Sequence, residues 1–214
     1  ERISGWVSVV MVAFTIPAVL FGSIAGVYVD RWSKKWVLVG SNLFRGGLVL
    51  GIPLILWVTK DWQAVGTSPA GFLAILLITF LVSTFTQFFT PAEQSTIALI
   101  VEKPKLLSAN SICTTTIMGA TILGFAIGEP LLAFADSLIG QGKEIAVGGS
   151  YLVAGSILML IETGEIRKKN LEEPHVWVDI KDGLQYLGKN RAVQSALLQL
   201  VSTFSVIAAL TVLA

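Results

Sequence analysis

Between Trp6 and Val29 the chain carries no charged side chain, and between Trp36 and Val58 it carries only Arg45. Each run is long enough to cross a hydrocarbon core, which takes roughly 20 apolar residues. Between the two runs sits a compact charged stretch, Gly26-Val27-Tyr28-Val29-Asp30-Arg31-Trp32-Ser33-Lys34-Lys35. The runs are continuous, whereas strands of a membrane barrel would alternate polar and apolar over about ten residues, so helices are expected. Composition points the same way. Hydrophobic residues make up 54% of the chain and charged residues 14%, with a mean hydropathy of +0.76, and the apolar residues fall in blocks. That pattern predicts an all-α integral membrane protein in contact with the lipid bilayer.

Apolar runs and their punctuation place spans at about Trp6–Val29, Trp36–Val58, Ala70–Thr90, Ile112–Ala135, Ile145–Ile161 and Ala192–Ala214. The fifth is the shortest and contains Gly148-Gly149 near its start. A net charge of +1 gives no clustered basic surface for a nucleic-acid partner. Cys113 is the single cysteine, so neither a disulfide nor a thiolate metal cluster is expected within the chain, and no cofactor is implied. The chain starts at Glu1 without Met and ends in an apolar run, which reads as a fragment that would be inactive as a pump by itself.

Basic residues in short loops are retained on the cytoplasmic side. One side collects Arg31, Lys34, Lys35, Lys103, Lys105, Arg167, Lys168, Lys169, Lys181, Lys189 and Arg191; the other has Arg2, Lys60 and Lys143. This bias predicts a multi-pass protein of the cell membrane whose 26–36 loop and 162–191 connection are cytoplasmic. The 162–191 connection is long and charged and carries Trp177, Ile180, Leu184 and Leu187 at helical spacing after Pro174. It is expected to form an amphipathic helix, either at the membrane surface or packed on protein. The expected organisation is a bundle over 1–161, a linker over 162–191 and the first helix of a second bundle over 192–214.

The charged turn Gly26-x-x-x-Asp30-Arg31-x-x-Lys34-Lys35 resembles the signature loop between helices two and three of the major facilitator superfamily of transporters. Asn42-Leu43-Phe44-Arg45, Phe89-Thr90-Pro91-Ala92 and Leu107-Ser108-Ala109-Asn110-Ser111 extend the resemblance, which is nearest to twelve-helix drug and siderophore exporters of the proton-antiporter type. It implies that the six spans are helices two to seven of such a carrier. Ser33 stands where that loop has glycine, and Lys34-Lys35 where it has arginines, which keeps charge but loses planar bidentate pairing. Gly124-Phe125-Ala126-Ile127-Gly128-Glu129-Pro130 is similar to the antiporter glycine-proline motif, with Glu129 inserted.

The resemblance assigns Gly26, Asp30, Arg31, Lys34 and Lys35 to gating. Asp30 would meet a helix N-terminus in the opposite half, where the dipole favours negative charge. Alternatively the basic residues of the turn only fix orientation. Three charges are candidates for an intramembrane role: Arg45, Glu93 and Glu129. An intramembrane arginine needs water or a carboxylate, and Glu93 or Asp30 would serve; a structural pair is favoured over substrate binding. Glu129 is the acidic residue deepest in an apolar run, where desolvation favours the protonated form, as a proton carrier needs; an outer vestibule is the alternative. Gly124, Gly128 and Pro130 form a small-residue face with a loosened backbone, suited to close helix packing. Thr84, Thr86, Gln87 and Thr114 to Thr116 line a cavity or satisfy interhelical hydrogen bonds, and Phe85, Phe88 and Phe89 are packing or an apolar wall.

The expected function is a secondary active transporter that exports a small amphipathic organic solute by alternating access, with protons as coupling ion. No Gly-x-x-x-x-Gly-Lys-Ser/Thr loop is present to bind ATP. An uptake or lipid-moving member of the same superfamily is one alternative. A membrane-embedded enzyme is another, and is disfavoured because His175 is the single histidine and has no nearby metal-ligating or nucleophilic partner.

Overall fold

The computed structural model describes residues 2–59, 70–164, 181 and 185–213. Seven α-helices can be delimited among them. They are α1 (Arg2–Arg31), α2 (Lys34–Leu50), α3 (Ile52–Val58), α4 (Ala70–Ile100), α5 (Leu106–Ile139), α6 (Gly142–Leu158) and α7 (Arg191–Leu213), with a 3-10 turn at Lys103–Lys105 before α5. Four stretches are long and apolar enough to cross a membrane: Val9–Arg31, Lys34–Val58, Ala70–Ile100 and Lys103–Ile139. The 17 residues of α6 sit at the lower limit for a span.

Prolines shape these rods without ending them. Pro53 cannot donate to the carbonyl of Val49, and α2 gives way to α3 at Gly51. Hydrogen bonding continues across this joint, since Gly51 N–H donates to Gly47 and Ile55 N–H to Gly51. The two pieces therefore make one bent span. Helix α4 passes through Pro91 and runs ten residues beyond the Thr90 boundary read from the sequence, to Ile100. Hydroxyls of Thr86 and Thr90 donate back to carbonyls four residues earlier, Val82 and Thr86. Such local bonding, together with neighbouring helices, lets a membrane helix continue past proline. Helix α5 likewise contains Pro130. It ends where Gly140 adopts φ 73°, a left-handed conformation that favours glycine, and its N–H caps Asp136.

The chain divides into two units, residues 1–171 and 172–214. In the first, α2 packs on α6 and α4, α1 packs on α4, and α5 lies along α6. Turns of a few residues join α1 to α2, α4 to α5 and α5 to α6, so these neighbours run antiparallel. The apolar core is small: Val29, Leu38 and Ala92 are buried, with Val37, Phe88, Phe89 and Leu158 packed around them. Among the described residues the buried polar ones are Ser41, Asn42, Arg45, Ser83 and Thr96, while many large apolar side chains are exposed. A helix surface immersed in lipid gains nothing by hiding leucine, so small and polar residues take the interior.

Two contacts set the spacing of this bundle. Ser83 of α4 donates 2.6 Å to the carbonyl of Phe14 in α1. Pro17, three residues beyond that carbonyl, is fully buried. At the α2–α6 crossing, a Cβ on Gly46 would lie 2.9 Å from the carbonyl oxygen of Gly148 and 2.8 Å from Leu152. Only glycine allows the two backbones to come this close.

In the second unit, Asn190 accepts the Ala192 N–H at 3.2 Å and so caps the start of α7. Gln194 reaches back to the carbonyls of Leu187 and Gly188. Most of the expected amphipathic helix, including Trp177, Ile180 and Leu184, lies outside the described residues.

Candidate functional site

The charged turn closes the end of α1 and opens α2. Asp30 is exposed in the last turn of α1, and the Lys34 ammonium donates 2.8 Å to its backbone carbonyl, satisfying one of the carbonyls that a helix end leaves without a partner. Ser33 at the α2 N-cap is extended (φ −65°, ψ 115°). Arg31, Lys34 and Lys35 are half-buried. Gly26, one turn before Asp30, is half-buried with open space where a side chain would go.

What fixes this turn is aromatic. Trp32 lies against Tyr28 with ring centroids 5.2 Å apart and stacks on Phe88 of α4 at 6.1 Å with a 16° interplanar angle. The turn is therefore anchored to the neighbouring helix while Asp30 stays presented at the surface. The sequence reading passed over Trp32; aromatic residues flanking a charged turn were the available signal.

Arg45 occupies the middle of the bundle. It is 6% exposed and eleven residues into α2, about 16 Å from the helix start. Its Nε donates to the carbonyl of Ser41 and a terminal nitrogen to Oδ1 of Asn42, both at 3.1 Å. The guanidinium carbon stands 4.6 Å from the ring centre of Phe89 in α4 and 5.0 Å from that of Tyr151 in α6. Glu93, one turn beyond Phe89, forms no ion pair with Arg45 among the described residues. Arginine is thereby held by three helices at once, its charge met by two π faces and by hydrogen-bond acceptors. Tyr151 is the partner that sequence reasoning missed, since nothing in a single chain links it to Arg45.

The remaining candidates stand apart from this centre. Glu129 and Pro130 are exposed on α5, and Gly124 and Gly128 have nothing within 4 Å of a would-be Cβ. No residue of α5 is buried. Close packing in this unit uses Gly46, Gly148 and Gly155. Of the polar residues in α4, Thr84 and Thr86 bond their own helix, and Thr114 to Thr116 of α5 are exposed. The phenylalanines divide their partners: Phe85 stacks on Phe44, Phe88 on Trp32, and Phe89 faces Arg45.

The sequence model of the Major Facilitator Superfamily matches residues 3–214. An uncharacterized MFS-type transporter of Mycobacterium tuberculosis is 29% identical over 139 residues, covering 65% of this chain and 28% of the relative. The uncharacterized MFS-type transporter YfiS of Bacillus subtilis is 25% identical, over 89% of this chain and 42% of its own length. Macrolide efflux protein A of Enterococcus faecalis is 24% identical, over 86% of this chain and 53% of its own length. The chain thus spans about half the length, or less, of these relatives. No solved structure matches it. A bundle of long apolar helices, a charged turn between the first two, and a match over nearly every residue agree: the chain belongs to the Major Facilitator Superfamily.

Proposed function

We propose that the chain is part of a secondary active transporter that exports a small amphipathic organic solute by alternating access, in exchange for protons. The observation that carries this reading is the turn after α1, where Asp30 is held outward at a helix end by Trp32 packed on Phe88. Export is supported by the similarity to macrolide efflux protein A. In this reading residues 1–161 belong to one bundle, 162–191 link it to the next, and 192–214 begin the second.

The charge distribution supports a cytoplasmic position for the Asp30 turn and the linker. There Asp30 would meet a helix N-terminus of the second bundle, with Arg31, Lys34 and Lys35 adding ion pairs that break as the halves rock. Arg45, through Phe89 and Tyr151, would hold α2, α4 and α6 together as one rigid body. Gly124, Gly128 and Pro130, on a helix with no buried residue, would offer a smooth face to the second half. Glu129 on the same helix would carry the proton.

The test is flux through the full-length protein in everted vesicles from a host stripped of its own pumps. The expected result is solute accumulation driven by an imposed proton gradient and abolished by a protonophore. Accumulation only in right-side-out vesicles would reverse the direction, and gradient-independent flux would remove the proton.

A further inference from the structure

At the end of the bundle that carries the Asp30 turn, α4 and α5 diverge. Pro104 and the 3-10 turn at Lys103–Lys105 send α5 onto α6, leaving a cleft of about 440 Å³ between the last turns of α4 and the first turns of α5. Leu38, Ile112 and Leu158 form apolar walls, and Glu93, Thr96 and Cys113 supply the polar atoms.

Those polar atoms have one character. The Thr96 hydroxyl donates 2.7 Å to the carbonyl of Ala92, so its oxygen faces other groups as an acceptor. An ionised Glu93 is an acceptor only. Glu93 has no ion-pair partner among the described residues, because Arg45 directs its N–H groups to Ser41 and Asn42. An apolar cleft with two adjacent acceptors, one of them anionic, is complementary to an apolar body with a cationic donor. The volume suits a drug-sized molecule, since ligand pockets run from roughly 300 to 1,000 Å³.

We propose that this cleft binds a lipophilic amine, with its ammonium on the Glu93 carboxylate and the Thr96 hydroxyl and its apolar body against Leu38, Ile112 and Leu158. That this ligand is cargo rests on the transporter reading above; that it binds does not. The site is formed by helices of a single bundle.

Cys113 lies in the cleft wall and reports on its occupancy. The experiment follows alkylation of Cys113 by N-ethylmaleimide in the full-length protein in phosphatidylcholine nanodiscs, read by peptide mass spectrometry. Phenylbutylammonium is expected to slow the reaction saturably, and its neutral isostere phenylbutanol to do so with affinity weaker by about tenfold or more, the loss of one charge-assisted bond. Glu93→Gln should abolish the difference between the two probes. Equal protection by both in the wild type would overturn the proposal, as would an unchanged preference for the amine in Glu93→Gln. Two further outcomes overturn it: a Cys113 that does not react before ligand is added, which means the rest of the chain closes the cleft, and protection by phosphatidylethanolamine nanodiscs alone, which gives the cleft to lipid. In the wild-type protein, absence of protection with efflux intact would sink the site, and absence of efflux with protection intact would sink the transporter reading.

Discussion

At the residue scale the central fact is a buried arginine that is not matched by a contacting carboxylate. Placing arginine near the middle of a membrane helix costs roughly 2.5 to 3.5 kcal/mol on insertion scales. Here Phe89 and Tyr151 receive the charge on their faces, and a desolvated cation–π contact contributes about 2 kcal/mol. Lysine keeps the charge but has neither the planar stack nor the fork that reaches Ser41 and Asn42 together. Arg45→Lys should therefore lower the unfolding free energy by about 2 kcal/mol, measured by denaturant titration of the purified protein in detergent. A charge swap between Arg45 and Glu93 should fail to restore it, since an acid at position 45 would face two aromatic rings. The Ser83 bond to Phe14 is a smaller contribution. Interhelical hydrogen bonds in membranes average about 0.6 kcal/mol, so Ser83→Ala should shift the same titration by less than Arg45→Lys does.

At the element scale the bundle distinguishes two kinds of glycine. Gly46 and Gly148 let α2 and α6 touch backbone to backbone, and a methyl group at Gly46 would press on a carbonyl that cannot swing away. Gly46→Ala should cost about 1 to 3 kcal/mol, the usual range for overpacking, and raise the rate of proteolysis within α6. Gly124→Ala meets open space within this unit and should leave both measurements unchanged. The motif read from the sequence named Gly124 and Gly128, because spacing reveals a small-residue face but not which helix approaches it. The first four spans were legible because lipid imposes a length and a polarity on each of them. Helix ends were less so: Pro91 looked like a terminus, but hydroxyl back-bonding from Thr86 and Thr90 lets α4 continue to Ile100. The Arg45 cage was legible only in part. Its charge was visible in the sequence, but Tyr151 enters through the fold of α6 across α2, which no local pattern encodes.

At the scale of the whole molecule, the exposed turn after α1 and the unburied length of α5 are the features on which the proposed two-bundle transporter can be tested. If Glu129 carries the proton, Glu129→Gln in the full-length protein should leave counterflow of solute intact and remove the dependence of efflux on external pH; a preserved pH profile would take Glu129 out of the coupling. Asp30 permits a more discriminating test because it is presented at a helix end and its neighbour Lys34 bonds its backbone, not its carboxylate. Asparagine should therefore keep the local turn and lose the charge. If Asp30 meets a helix N-terminus of a second bundle, where a carboxylate contributes about 0.3 to 2 kcal/mol, removing it should shift the balance between closed and open cytoplasmic states by up to roughly thirtyfold. Unfolding free energy should be unchanged in Asp30→Asn, because surface charge at this turn contributes little to the bundle. Efflux should fall, and a cysteine placed at Ser33 should react faster with a membrane-impermeant maleimide applied from the cytoplasmic side. The combination separates a latch from a topological signal: a residue that only orients the chain would leave flux and reactivity as in the wild type, and labelling of that cysteine from outside would place the turn on the opposite face.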